Sequence, residues 1–367
     1  MRYLLTFKPL KNFFFGYDKT FSEDYFAISE YFPQNTQLLG AIRLFIAEQN
    51  GLMHVHRNGK YSNEPQELKE LIGDASASSF VLNTNLGKIN NLSQMFIVNE
   101  KLDDAYFKTP FDIEVTKESV RMYKLTNIDN DYFFEDYDVK SSSSQCLAGR
   151  EFWSAYLKSQ DLKKDFLLSF DYDKEKKRGV FHKHTQVGIE LEQKNTVDEK
   201  FYSKIDYTLE KGYLFGAVIE LEDKIISNGI IQIGAESSLF ELKVQKLEET
   251  KLYTHPVVEQ LFSKPKEGSK VIALSDTMVA DTKEIASIYS LIPYYRKLRM
   301  IESETKDSFK KNTSKLKNYL KFKGKTEPKR LIPSGSVFYF DEDVVLDKPA
   351  QGAYAKMGYN QFITVKK

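Results

Sequence analysis

The stretch that indicates the fold spans residues 167–191 and reads LLSFDYDKEKKRGVFHKHTQVGIEL. Two apolar and aromatic runs flank the charged segment DKEKKRG, a pattern typical of a β-hairpin with a charged tip. Further strand-like runs follow at residues 201–205, 213–221, 230–233 and 239–244. The second half of the chain is therefore predicted to consist mainly of strands.

The first half combines strands with helices. Residues 1–10 are predicted to form a strand that ends at Pro9, because proline cannot donate a hydrogen bond to a sheet ladder. Apolar residues recur at helical spacing over residues 33–49, with Asn35 or Thr36 as the N-cap. Shorter helices are predicted at residues 151–159 and 284–291. Strands that alternate with a few helices predict the α+β class.

Length and composition limit the class of protein. The 367 residues favour two domains, since a domain usually holds roughly 100–200 residues. The serine-rich residues 141–144 mark the predicted boundary. No run of about 18 uncharged apolar residues exists, so we expect no membrane-spanning helix. A single cysteine, Cys146, excludes an internal disulfide and a cysteine-based zinc site. No signal peptide is recognised either, and a cytoplasmic protein is expected.

Charge is unevenly distributed, although the chain as a whole carries only +1. Residues 296–330 contain 13 lysines and arginines against four acids. A basic segment of this kind fits a protein that meets a polyanion on one side and other proteins elsewhere. A solvated lysine-rich loop or helix has the same composition, so both interpretations stay open.

The sequence lacks the usual catalytic signatures. It contains no GxxxxGK[ST] phosphate loop, no GxSxG turn and no HExxH pair. Two histidine pairs, His54 with His56 and His182 with His184, have the spacing that puts both rings on one face of a strand. Two histidines without a third ligand make a poor metal site, so we expect no metal and no cofactor. One histidine could serve as a general base in RNA cleavage, but the spacing does not select it.

Glycines stand beside predicted strands in five short phrases: PQNTQLLGAIR, KHTQVGI, GIIQIGAE, IPSGSVFYF and KMGYNQF. Glycine permits a positive φ and leaves backbone N–H groups open to a phosphate. A helix that begins after PQNT would direct its free N–H groups at an anion. Tyr294 and Tyr295 directly precede Arg296, and rings beside cations suit unstacked bases. Ordinary turns and core packing use the same residue types.

In their order along the chain, these phrases resemble the Cmr subunit three family, which are RAMP-superfamily (Cas5-like) proteins of type III-B CRISPR effector complexes. The resemblance also rests on FKPLKNFFFGYDKTF near the N-terminus and on residues 184–221. It runs from about residue 3 to about residue 364, with gaps near residues 50–130 and 300–330. The chain departs from the family pattern at Gly16, where an arginine is expected, and at Ala235, where a second glycine is expected.

The resemblance implies two ferredoxin-like (RRM-type) domains with inserted loops and hairpins. They would span residues 1–145, with an insertion around residues 50–130, and residues 146–367. It also implies a non-catalytic subunit that binds the 5′ tag of the guide RNA (crRNA) in antiviral defence. The expected partners are that RNA, the large polymerase-cyclase subunit and the backbone RAMP subunits of the Cmr complex, with no membrane partner. The residues expected to bind RNA are Asn35, Thr36, Gly40, Arg43, His182, His184, Gln186, Gly188, Gly234, Glu236, Tyr295, Arg296, Ser334, Gly335, Ser336, Gly358, Tyr359 and Asn360.

Two other functions stay open on the sequence. A metal-independent endoribonuclease of the same superfamily, which processes guide RNA, would use His182 or His184 as its base. A purely architectural subunit would use the glycine phrases only to make turns.

Overall fold

The structure is a computed structural model that describes most of the chain. The described residues are 1–16, 26–52, 66–73, 85–116, 119–129, 131–135, 137, 145–175, 178–192, 195–235, 238–263, 266–278, 285, 287, 289–292, 294–298, 301–305, 320–325, 329–345 and 353–366. Three residues of the predictions, His54, His56 and Glu236, lie outside them, as does part of the lysine-rich stretch 296–330.

The described residues form four α-helices and 25 strands. The helices are α1 (Asn35–Gln49), α2 (Gln66–Ile72), α3 (Arg150–Leu157) and α4 (Ala353–Lys356). The strands of the first half are β1 (Arg2–Pro9), β2 (Phe26–Ile28), β3 (Ile89–Leu92), β4 (Phe96–Asn99), β5 (Ala105–Lys108), β6 (Ile113–Val115), β7 (Val120–Met122), β8 (Leu125–Ile128) and β9 (Asp131–Phe134). Those of the second half are β10 (Leu147–Ala148), β11 (Leu167–Leu168), β12 (Phe181–Glu192), β13 (Asn195–Leu209), β14 (Tyr213–Leu221), β15 (Gly229–Gln232), β16 (Leu239–Lys246), β17 (Gly268–Ala273), β18 (Thr277–Met278), β19 (Tyr289–Leu291), β20 (Arg296–Leu298), β21 (Ile301–Thr305), β22 (Leu320–Lys325), β23 (Lys329–Ile332), β24 (Val337–Val344) and β25 (Phe362–Val365).

The first strand lies inside the largest sheet. It pairs antiparallel with β14 on one side and with β16 on the other, so that Leu5 lies opposite both Ala217 and Val244. The order in this nine-stranded sheet is β11-β10-β5-β4-β14-β1-β16-β15, with β3 also paired to β14. Strands from both sides of residue 145 contribute to it. The division into domains at that residue stays a prediction.

At residues 3–7 of β1 both faces of this sheet are buried, which explains why β1 is a nearly continuous apolar run. Leu5 and Phe7 enter a core that includes α1, whereas Leu4 enters a second core with Phe152 and Trp153 of α3. Successive residues of a strand point to opposite faces, so both faces need apolar side chains. Burying each of these side chains contributes roughly 1.5–3 kcal/mol.

The predicted hairpin is confirmed only near its charged tip. Asp173 and Arg178 exchange backbone hydrogen bonds, and the Tyr172 N–H donates to the Phe181 carbonyl at 2.8 Å. The described part of the charged segment, residues 173–175 and 178–179, forms a turn, as predicted. Along the rest of its length β12 pairs with β13, with His182 opposite Thr208 and Gln186 opposite Lys204. The 12 residues of β12 pair with β13, whose 15 residues match their length.

Helix α1 confirms the predicted helix, but its N-cap is Gln34 and not Asn35 or Thr36. The N–H of Gln34 donates to Oε1 of Gln37 at 3.2 Å, which closes the first turn. Helix α3 confirms the helix predicted at residues 151–159.

The prediction of a helix at residues 284–291 is wrong at the C-terminal end, because Tyr289–Leu291 form the strand β19 beside β24. Leu291 is buried and Ser290 is exposed, so these residues follow the two-residue period of a strand.

Smaller sheets complete the molecule. One has the order β19-β24-β17-β25, another β18-β23-β20, and in the sheet β12-β13-β2 the strand β2 is parallel to β13. Mostly antiparallel sheets with few helices confirm the α+β class. In the described part of the chain, no helix is both long enough and apolar enough to cross a membrane.

Candidate nucleic-acid interface

A cleft opens where the first turn of α1 meets the last residues of the chain. Four of the predicted site residues line it, namely Asn35, Arg296, Ser334 and Tyr359. They come from α1, from β20, from the turn before β24 and from the segment before β25, so only the tertiary fold brings them together. The aromatic rings of Phe32, Tyr106 and Phe107 form other parts of the wall, together with Lys108 and Asp276.

Gly358 fits the C-terminal segment against the start of α1. Its φ is +92°, and a Cβ at this position would lie 2.9 Å from both Nδ2 of Asn35 and the carbonyl oxygen of Leu92. Only glycine permits this approach. The next two residues are buried. Burial raises the pKa of Tyr359 to about 12. The Met278 N–H donates to Oδ1 of Asn360 at 2.6 Å, and Nδ2 of Asn360 donates to the Met278 carbonyl at 3.1 Å.

The phrase Ser334–Ser336 forms a second tight turn beside the cleft. Gly335 has a φ of +93°, and a Cβ there would lie 2.3 Å from Nε2 of Gln145. The Ser334 N–H donates to Oδ1 of Asp276 at 3.1 Å, and the Gly335 N–H donates to the Ala273 carbonyl at 2.7 Å. Ser336 is fully buried.

The backbone amides of these phrases donate hydrogen bonds inside the protein, contrary to the expectation that they stay open to a phosphate. The Gly358 N–H donates to the Ala355 carbonyl at 3.1 Å, and the Tyr359 N–H donates to the Tyr354 carbonyl at 3.0 Å. The Asn360 N–H donates to the Asp276 carbonyl at 3.2 Å. The glycines therefore shape the cleft, and an anion in it would be bound by side chains.

Two cations and two carboxylates set the electrostatics of the cleft. Nη1 of Arg296 lies 2.9 Å from Oδ2 of Asp276, and its Nη2 lies 3.6 Å from Oε2 of Glu30. Nζ of Lys108 lies 5.8 Å from the centre of the Phe32 ring. Burial, and then repulsion by Arg296, lowers the pKa of Lys108.

Lys108 is the residue that sequence reasoning missed. Within the described ranges no carboxylate forms an ion pair with it, whereas Arg296 has two such partners. An anion entering the cleft would offset the desolvation of the ammonium group. Lys108 is a single lysine at the end of β5, and no sequence pattern marks such a residue as part of a binding site.

The predicted hairpin residues form a second group, on one face of β12, as their spacing requires. Nε2 of His182 contacts the Glu210 carboxylate, and its ring lies 4.2 Å from that of Tyr172. Nε2 of His184 lies 2.9 Å from Oγ1 of Thr208.

Gln186 and Gly188 continue this group along β12. Nε2 of Gln186 donates to Oδ2 of Asp206 at 3.1 Å, and Oδ1 of Asp206 accepts from Nδ2 of Asn12 at 2.9 Å. Gly188 lies opposite Tyr202. Among the described residues no cluster of three or more His, Cys, Asp or Glu side chains could hold a metal.

The segment before α1 connects the two groups. Glu30 bridges to Phe15 and pairs with Arg296 at the cleft. The ring of Tyr31 lies 4.9 Å from that of Phe181 at the start of β12, and Phe32 lines the cleft. This segment therefore packs between the cleft and β12 on the buried side of the strand, because Phe181 is fully buried and lies on the face opposite His182, His184 and Gln186.

The other predicted residues lie around these two groups. Thr36 is half-buried in the first turn of α1, Gly40 is exposed on the helix, and Arg43 is only 7% exposed. Gly234, with a φ of +86°, packs against the Phe14 carbonyl, where a Cβ would lie 2.5 Å away. Tyr295 is 46% exposed beside Arg296.

Comparison with known proteins gives a family and distant structural neighbours. The model of the family "CRISPR-associated protein (Cas_Cmr3)" matches residues 5–367. No curated protein matches the chain. A chain from the structure of the type III-B Cmr-beta complex bound to cognate target RNA is 13% identical, with a TM-score of 0.48. One from the same complex bound to cognate target RNA and AMPPnP, in state 1, is 12% identical, with a TM-score of 0.45. Each alignment covers 92% of this chain and 86% of the other. Because the family model spans nearly its whole length, the chain belongs to the CRISPR-associated Cas_Cmr3 family.

Proposed function

We propose that the chain is a non-catalytic subunit of a type III-B CRISPR RNA-guided effector complex and that its cleft binds the 5′ tag of the guide RNA. The observation that carries the proposal is the position of Lys108, a half-buried cation on the cleft wall with no ion pair to a described carboxylate. Asp276 and Glu30 act on its charge from farther away, and an RNA phosphate in the cleft would give it a direct partner. Asn35, Ser334 and Tyr359 line the same cleft and would surround that phosphate.

Unpaired RNA suits this surface better than a duplex. Phe32 and Tyr106 are half-buried in the cleft wall, and Tyr294 and Tyr295 are 45% and 46% exposed next to Arg296. Bases stack on such rings only when they are unpaired, as in a short single-stranded tag. The hairpin face with His182, His184 and Gln186 would extend the contact along the next nucleotides.

We further propose that the chain docks the large polymerase-cyclase subunit and the backbone RAMP subunits, and that it acts in the cytoplasm. Docking is supported by exposed apolar side chains, among them Ile128 at 55% and Ile230 at 60%. Two ferredoxin-like domains, at residues 1–145 with an insertion around residues 50–130 and at residues 146–367, remain our proposal.

One observation favours a second candidate, the guide-RNA-processing endoribonuclease. The His182 imidazole is oriented by the Glu210 carboxylate on one side and the Tyr172 ring on the other. A histidine held by a carboxylate in this way is suited to general-base chemistry.

The experiment that tests the proposal uses the purified full chain and two RNAs. A tagged guide RNA with a photoreactive nucleotide in the tag should crosslink to peptides that contain Lys108, Tyr295 or Ser334. A repeat-containing precursor RNA, incubated without metal, should stay intact. Cleavage that is lost in both His182→Ala and His184→Ala would instead establish the endoribonuclease. Tag adducts confined to other subunits of the assembled complex would establish an architectural role.

A further inference from the structure

The strand β15 forms one edge of the nine-stranded sheet. It pairs with β16 through Ile231 opposite Phe240, and the Ile233 N–H donates to the Ser238 carbonyl at 3.1 Å. In an antiparallel pair, hydrogen-bonded residues alternate along the strand. Ile230 and Gln232 therefore direct their N–H and C=O groups away from β16. Within the described residues, no other strand pairs with this edge.

The sheet face beside this edge is apolar and exposed. Ile230 is 60% exposed, Leu10 48% and Leu239 44%, although each lies next to fully or nearly fully buried neighbours such as Ile231 and Phe240. Leu10 and Ile230 line one shallow groove, whose floor includes Gly229 and Leu242. Elsewhere the same face is covered, since Leu4 packs in the core that contains α3.

Most of the charged residues around the groove are paired with one another. Nζ of Lys243 lies 3.7 Å from Oε1 of Glu241, and Nζ of Lys8 lies 3.3 Å from Oε1 of Glu100. Lys11, next to Leu10, is exposed, so three lysines face two glutamates and the excess is a single positive charge. An apolar groove with nearly compensated charges, beside free backbone donors and acceptors, matches a protein strand better than a nucleic acid.

We propose that β15 is a docking edge on which an extended, apolar segment of another protein subunit adds as a further strand. The backbone of that segment would bond to Ile230 and Gln232, and alternate side chains would cover Ile230, Leu10 and Leu239. This deepens the docking part of the proposed function by assigning a surface to it. It is independent of the RNA cleft.

The docking edge and the RNA cleft lie toward opposite ends of α1. A Cβ on Gly229 would lie 2.8 Å from the Phe45 ring, and the Gln49 side chain bonds the backbone of Ser227 just before β15. The cleft instead contacts Asn35. A helix of 15 residues is roughly 22 Å long, so a change at Ile230 should leave RNA binding at the cleft intact.

Hydrogen–deuterium exchange tests the proposal on the unaltered chain. The amides of Ile230 and Gln232 should exchange quickly in the free chain and at least about tenfold more slowly once the chain is assembled with the other protein subunits of its complex. Guide RNA alone should leave them fast. No slowing on assembly would overturn the proposal. Slowing by RNA alone would show a nucleic-acid contact, and slowing with concentration of the free chain would show self-pairing; either overturns it.

A substitution provides the second test. In Ile230→Pro the lost N–H is one that points away from β16, so the internal pairing is retained while the outward donor is removed. Retention of the variant in the co-expressed complex should fall at least about tenfold, whereas Ile230→Val should behave as the wild type. Tagged guide RNA should still bind the isolated variant, which separates failure of this edge from failure of the cleft.

Discussion

Nζ of Lys270 lies 2.5 Å from Oδ2 of Asp112, a side chain that is completely buried. Tyr156 donates to Oδ1 of the same aspartate at 2.7 Å, and Tyr339 donates to Oδ2 at 2.6 Å. The ammonium group also lies 4.2 Å from the centre of the Tyr156 ring. Four segments that are far apart in sequence thus meet at one charged group.

Removing the cation from this group should destabilise the fold strongly. Lys270→Met leaves Asp112 buried without its counter-ion, and breaking a buried ion pair from one side costs about 3–5 kcal/mol in the free energy of unfolding. Equilibrium urea unfolding measures the loss. The matched control is Lys8→Met, since Lys8 pairs with Glu100 at the surface, where a pair contributes less than about 1 kcal/mol. Equal losses in the two variants would contradict the prediction.

His255 should make the stability of the protein depend on pH. The ring is fully buried, its Nδ1 accepts from the Val257 N–H at 3.2 Å, and its Nε2 lies 3.4 Å from Oδ1 of Asp104. Burial lowers the pKa of His255, although Asp104 opposes this effect.

The unfolded chain therefore binds this proton more readily than the folded one, and the free energy of unfolding falls as pH drops below about 6.5. The contribution is fully present above that pH and is lost toward the lower folded pKa. Urea midpoints at about pH 7.5 and 5.5 should differ less in His255→Gln than in the wild type. An unchanged difference would show that His255 does not carry the effect.

The sequence predicted those elements whose pattern is local. β1 and α1 follow from the apolar run that ends at Pro9 and from the helical spacing after Gln34, and neither depends on distant residues. The partner of β12 could not be predicted in this way, because residues 167–172 and 195–209 are both strand-like. In the structure the backbone groups of residues 170–173 bond to those of residues 178–181, and the rest of β12 pairs with β13.

Three of the predicted phrases line the cleft, but the sequence did not predict which of their groups would bind an anion. Asn35, Ser334 and Tyr359 do line one cleft, and this supports the order of the phrases as a signal. Their glycines were expected to leave amides free, yet those amides bond internally because tight turns need them. Lys108 could not be predicted, because its role depends on its desolvation in the folded chain. It also depends on the ion pairs that Glu30 and Asp276 form with Arg296.

Alanine substitution should lower the stability of the protein at Gly335 and raise it at Gly40. At Gly335 a Cβ would lie 2.3 Å from Nε2 of Gln145 and 2.6 Å from the Thr109 carbonyl, at a φ of +93°. Gly335→Ala should therefore lower the free energy of unfolding by more than about 1 kcal/mol. At Gly40, in α1, no atom lies within 4 Å of a Cβ, and Gly40→Ala should raise stability by about 0.5–1 kcal/mol. Thermal unfolding of both variants checks this, and a stable Gly335→Ala protein would contradict it.

Lys108→Met should weaken binding of tagged guide RNA while making the free chain more stable. Loss of one phosphate contact should reduce the slope of log affinity against log salt by about one ion. At low salt the affinity should fall about tenfold, equivalent to about 1.4 kcal/mol. Stability should rise because the variant removes a partly desolvated cation that is repelled by Arg296. Since burial lowers the pKa of Lys108, wild-type affinity should also fall as pH rises, at a pH below the ordinary lysine pKa of about 10.4, and that of the variant should fall less. Fluorescence anisotropy across a salt series measures the binding, with Lys243→Met, an exposed lysine away from the cleft, as the control. If both variants keep the wild-type slope, Lys108 is a structural residue and the anion lies elsewhere.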